Sequence, residues 1–128
     1  MADPTPRTES QLDQSRIFRP EDAPVRKLPN GGQSWDIIHG KLPTGESVRV
    51  HESVQPAGAP PNPAHIIHHS ELIAVIEGTL EFHHDNKVER VGPGGLLYVA
   101  YGTNHQVRNV GGTPARYVVV AIGGDIQK

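Results

Sequence analysis

Eight histidines and no cysteine set the chemical possibilities of this 128-residue chain. The histidines are His39, His51, His65, His68, His69, His83, His84 and His105, and five of them fall between Pro63 and His84. Neutral imidazole offers a lone pair near physiological pH, which makes it the commonest protein metal ligand. Without thiols, disulfides, thiolate catalysis and every Cys-based zinc motif are excluded, so a metal here has to be held by His, Asp or Glu. Twelve Lys and Arg against fourteen Asp and Glu leave a formal charge of −2. That balance supplies no basic field for nucleic acid or an anionic bilayer, and neither is expected as a partner.

The elements that must position these side chains are short. Fourteen glycines and twelve prolines cluster between β-rich runs, a pattern of many turns. Strands are expected at 16–18, 34–42, 47–55, 71–77, 79–84, 88–91, 96–99, 105–110 and 115–122, about nine at intervals of roughly ten residues. Residues 47–55 alternate, with Val48, Val50 and Val54 on one face and Arg49, His51, Ser53 and Gln55 on the other. The run 71–77 is almost continuously apolar, as for a strand covered on both sides. Asp85-Asn86-Lys87 reads as a hairpin turn. Trp35, Phe82 and the Val/Ile run are expected to fill the interior. The reading is one β domain over residues 16–128, preceded by a polar arm over 1–15. No stretch approaches the ~20 apolar residues of a membrane span. The arm also lacks the basic-then-apolar order of an export signal, so the default location is the cytoplasm.

Two segments, one with Gly58, His65, Glu71 and Gly78 and the other with Gly94, Gly102, His105 and Asn109, resemble the paired motifs of the cupin superfamily, and within it the small cupins of one barrel. Residues 58–78 run Gly58, a loop, His65, Glu71, six residues and Gly78, which is similar to the first motif. Residues 94–109 run Gly94, five residues, Ala100, Gly102, His105 and Asn109, similar to the second, with Ala100 where that motif has proline. The resemblance implies an all-β double-stranded β-helix (a jelly-roll barrel), homodimers, and a divalent metal in the lumen. Carried over position by position, the family's ligands fall on His65, Ile67, Glu71 and His105. Isoleucine has no lone pair, so three remain.

Two histidines and a carboxylate suffice for an open Fe(II) site, and three protein ligands plus water for catalytic zinc. His69 shares the strand parity of His65 and ranks as a replacement fourth ligand, unless a turn near Ser70 breaks the alternation. His68 has the opposite parity. Ile67, Tyr98 and Tyr101 are the candidate pocket residues. His83 and His84 point to opposite faces of one strand and read as solvated. His39 and His51 read as ordinary strand residues, with His51 reaching the pocket only if its face turns inward. Gly78, Gly94 and Gly102 are structural, and Asn109 hydrogen-bonds a turn.

Two functions follow from this reading. One is a metal-dependent enzyme of oxygenase, isomerase or lyase type, using Fe, Mn, Ni or Zn on a small organic molecule. The other is a small-ligand-binding barrel with a vestigial, metal-free site.

Overall fold

The computed structural model describes residues 10–126 of the chain, and residues 1–9 of the arm expected over 1–15 lie outside them. Eleven strands are found among the described residues: β1 Ser10–Gln11, β2 Val25–Lys27, β3 Gln33–Lys41, β4 Ser47–Gln55, β5 His65–Ile66, β6 Ser70–Glu77, β7 Leu80–His84, β8 Lys87–Val91, β9 Leu96–Val99, β10 Asn104–Asn109 and β11 Ala115–Ile122. They form two sheets. The larger runs β1-β3-β4-β11-β6-β9, with β2 also on β3, and the smaller runs β5-β10-β7-β8. This is the expected double-stranded β-helix. Among the described residues no helix is long and apolar enough to cross a membrane.

Alternation explains what faces inward. In β11, Ala115, Tyr117, Val119 and Ala121 are buried while their neighbours are half-exposed. Ile73, Val75, Leu80, Phe82, Leu97 and Val99 join them in the core between the sheets. Burying the Val, Leu, Ile and Phe side chains among these stabilises the fold by roughly 1.5–3 kcal/mol each.

The register then settles β4. His51 is paired with Val119 and Ser53 with Tyr117, so the polar face Arg49, His51, Ser53 and Gln55 looks into the barrel and the valine face looks out. On the far side, a register shift between Asp36 and Ile38 lets both Asp36 (opposite His51) and His39 (opposite Arg49) share that inner face.

Several local expectations are corrected. Residues 16–18 form no strand; β2 takes the edge position instead, after a 3-10 turn at Pro20–Asp22. Trp35 does not fill the barrel. It pairs with Glu52 on the outward parity of β4, and the Arg116 guanidinium sits 5.8 Å above its ring. The run 71–77 is covered on one face only, because Leu72 and Ile76 are exposed. The hairpin turn is the two-residue Asp85-Asn86, both at positive φ, as a tight turn between twisted strands requires. Asn109 ties a turn as expected, donating from Nδ2 to the carbonyls of Gln55 and Thr113, each at 2.9 Å.

Candidate functional site

The chain bends at His68 and His69 between β5 and β6, so strand parity fails there and His69 swings against the next strand. Its Nε2 lies 2.7 Å from Glu71 Oε2, and its Nδ1 lies 2.9 Å from Asp125 Oδ1. Ionised carboxylates only accept hydrogen bonds, so a ring that donates to both must carry both protons. Burial disfavours the charged ring, but the hydrogen bonds to Glu71 and Asp125, with their charges, outweigh it and raise the His69 pKa. The same hydrogen bond lowers the pKa of Asp125.

Asp125 is delivered by the turn after β11. Its N–H donates to the His68 carbonyl at 3.1 Å, and Gly124 sits at φ +58 with no room for a side chain, since a Cβ would stand 1.9 Å from that carbonyl oxygen. Buried Ile126 anchors the turn behind it.

Glu71 opens onto a cavity of about 330 Å³, also lined by Arg26, Arg49, His51, His69 and Ala121. Register explains the space. Arg49, Ala121 and Glu71 occupy one cross-strand row, and the small alanine leaves a gap between two charged side chains. One row deeper, His51 has a pKa lowered by burial despite the nearby charges of Glu71 and Asp36. His51 meets the condition set for it by the sequence, an inward-turned face, whereas Arg49 is not among the expected site residues. The alternation 47–55 separated their face from the valine face, but not which of the two turns inward.

The other wall holds a second histidine group. His105 on β10 lies between His65 on β5 and His84 on β7 in register, so three histidines share the inner parity of the smaller sheet. The His65 and His105 rings are 4.7 Å apart, and His84 stacks on Phe82 at 4.2 Å. His105 is only 4% exposed, and its Nδ1 is buried without a hydrogen-bond partner. Burial, followed by the neighbouring His65, lowers its pKa. His84 is not simply solvated, since its two ring nitrogens approach Asp85 at 3.0 Å and Glu89 at 3.2 Å.

The ligand set His65, Glu71, His105 and His69 is therefore brought together in pairs. His65 meets His105, and Glu71 meets His69. Among the described residues no group of three or more His, Asp or Glu side chains is arranged to hold a metal ion. Ile67, 3% exposed, belongs to the core. Tyr98 and Tyr101 are exposed and lie outside the cavity beside Glu71; Tyr101 packs edge-on against His68, with ring centroids 5.8 Å apart.

Fold and lumen together define a small all-β barrel with a polar, histidine-bearing interior. The cupin domain model matches residues 43–121, more than half of the chain, and the protein belongs to the cupin family. No curated protein matches it. Among solved structures it is similar to an RmlC-like cupin from Shewanella frigidimarina (17% identity, 89% of this chain and 96% of that one, TM-score 0.69). It is also similar to a predicted oxalate decarboxylase from Thermotoga maritima (16%, 84% and 98%, TM-score 0.69). A third is the polyketide cyclase RemF from Streptomyces resistomycificus (18%, 88% and 85%, TM-score 0.66). At these identities the likeness is one of fold.

Proposed function

We propose that this protein binds a small polar organic molecule in the cavity beside Glu71, where the chain Glu71–His69–Asp125 holds a proton against it. The observation that carries this reading is the His69 ring bridging two carboxylates, at 2.7 and 2.9 Å, at the edge of a cavity of about 330 Å³. Such a chain can hydrogen-bond a ligand or exchange a proton with it. The similar structures carry names of different activities, so fold likeness does not choose the reaction. The test is an amide-shift NMR screen of small polar molecules on wild type, Glu71→Gln and His69→Gln. Hits that move Arg49, His51 and Glu71 resonances and weaken in both variants support it. A separate groove of about 520 Å³ lies at the β7–β8 hairpin tip, lined by His84, Asp85, Lys87 and His105 among others, and hits confined to it, or none, would sink the proposal.

A second reading is a divalent metal, Fe, Mn, Ni or Zn, held by His65, Glu71 and His105 with His69 in reserve. The specific observation in its favour is the buried, unpartnered Nδ1 of His105 beside the His65 ring. Glu71 would have to release His69 to take part. A bound metal would supply a Lewis acid to the lumen. Elemental analysis after reconstitution decides it: stoichiometric metal lost in His105→Ala supports this reading, and none in wild type removes it.

Pairing as a homodimer belongs to the same proposal. Leu72, Ile76, Leu96 and Tyr98 expose apolar surface from adjacent strands β6 and β9, and a two-fold pair would cover it against itself. Light scattering should give the dimer mass for wild type and the monomer mass for Leu96→Glu.

A further inference from the structure

We infer that the occupant of this cavity is a small carboxylic acid, its carboxylate held between Arg26 and Arg49 and its polar remainder set against Glu71 and His69. This rests on the reading that the cavity beside Glu71 is the ligand site, and it adds the chemical class of the ligand.

Hydrogen-bonding capacity that solvent rather than protein takes up is the first argument. The two carboxylates on one side of the cavity, Glu71 and Asp125, are each taken up by a His69 nitrogen at hydrogen-bonding distance. Among the described residues, the two guanidiniums on the other side are not matched in this way by protein groups. Arg26 and Arg49 approach the single carboxylate of Asp36 at 3.8 and 3.7 Å, close enough for charge attraction but beyond a hydrogen bond. Each guanidinium carries five N–H donors in a planar fork, and a planar carboxylate is the acceptor that matches it.

Charge sets the ligand's valence. Among the described residues, two guanidiniums against Asp36 leave one net positive charge at this side, enough for a monoanion. Glu71 and Asp125 across the cavity oppose a second negative charge.

Register supplies the length. Arg49 and Glu71 lie two strands apart across Ala121, about 10 Å between backbones, and both side chains reach into that gap. A molecule of a few carbons spans what remains. Arg26 reaches the same space from the edge strand β2, where its partner in register is inward-facing Ser34.

The experiment compares matched pairs by amide-shift NMR: acetate, glycolate and lactate against acetamide, glycolamide and lactamide, with inorganic phosphate as a further probe. We expect at least one acid to bind with shifts at Arg26, Arg49 and Glu71, and its amide to bind about tenfold more weakly or not at all. Arg49→Gln and Arg26→Gln should each weaken the acid about tenfold and any amide by much less, while Arg49→Lys should recover part of the loss. Arg26 is exposed on an edge strand, so its variant reports on binding even if Arg49→Gln disturbs the fold. Acids and amides binding the cavity equally, with both arginine variants neutral, would overturn the carboxylate inference and leave the ligand-site reading standing. Phosphate binding more tightly than every acid would overturn it in the same way. No probe shifting any cavity residue would overturn both.

Discussion

His69 and His105 face the same lumen from different walls and are held in opposite ways. His69 stands at the entry to β6 between two carboxylates, and hydrogen bonds raise its pKa against the pull of burial. His105 lies in the middle of the smaller sheet with a second histidine against its ring and a bare Nδ1, and burial lowers its pKa. The difference shows that burial alone does not decide whether a histidine is charged. The acceptors that the neighbouring strands and turns deliver decide it.

The largest way to break this contrast is to remove the turn that delivers Asp125. Gly124→Ala places a Cβ against the His68 carbonyl in a left-handed backbone, so the turn has to lift away. The expected cost is more than about 2 kcal/mol in urea unfolding, with the His69 pKa falling in NMR titration. Glu71→Gln comes next. It removes one charge from the pair while keeping its shape, at about 1–2 kcal/mol, and lowers the His69 pKa more than it disturbs the fold.

The pH dependence sharpens the contrast further. A histidine with a raised folded pKa stabilises the protein fully below the ordinary histidine value, and that stability is lost as pH rises through the folded value. A histidine with a lowered folded pKa stabilises it above the ordinary value, and that stability is lost as pH falls through the folded one. The urea midpoint should therefore fall on both sides of neutrality. Glu71→Gln should flatten the alkaline side and His105→Leu the acid side. The smallest effect is that of His105→Leu at neutral pH, within about 1 kcal/mol, because a buried imidazole lacking a partner at one nitrogen gives way to an apolar side chain of similar size.

Much of the fold was legible. The turn residues and β-rich runs give β3, β4, β6–β11 nearly in place, because Gly, Pro and Asp-Asn punctuation is a local property of the chain. The short strands β1, β2 and β5 leave no mark in the sequence, since two or three residues carry no period and exist only through their partners. Trp35 departs from its expected place for a related reason. A large apolar residue suggests an interior, but register with Glu52 puts it on the outer face. The site was legible as a group of residue types around His65, Glu71 and His105, and less so as a geometry. Asp125, 54 residues beyond Glu71 and outside both motifs, gave no local signal at all.

By itself the sequence determined that this is a β barrel of the cupin pattern, without thiol chemistry and with carboxylates and imidazoles as its reactive groups. Periodicity, turn chemistry and composition are written in neighbouring residues, so they survive in one dimension. Only the tertiary structure decided that the polar face of β4 turns inward, that His69 engages Glu71 and Asp125, and that His105 meets His65. Those outcomes depend on which strands pair and in what register. A shift of one residue would send Arg49 and His51 to the outer face with no change in the sequence's alternation.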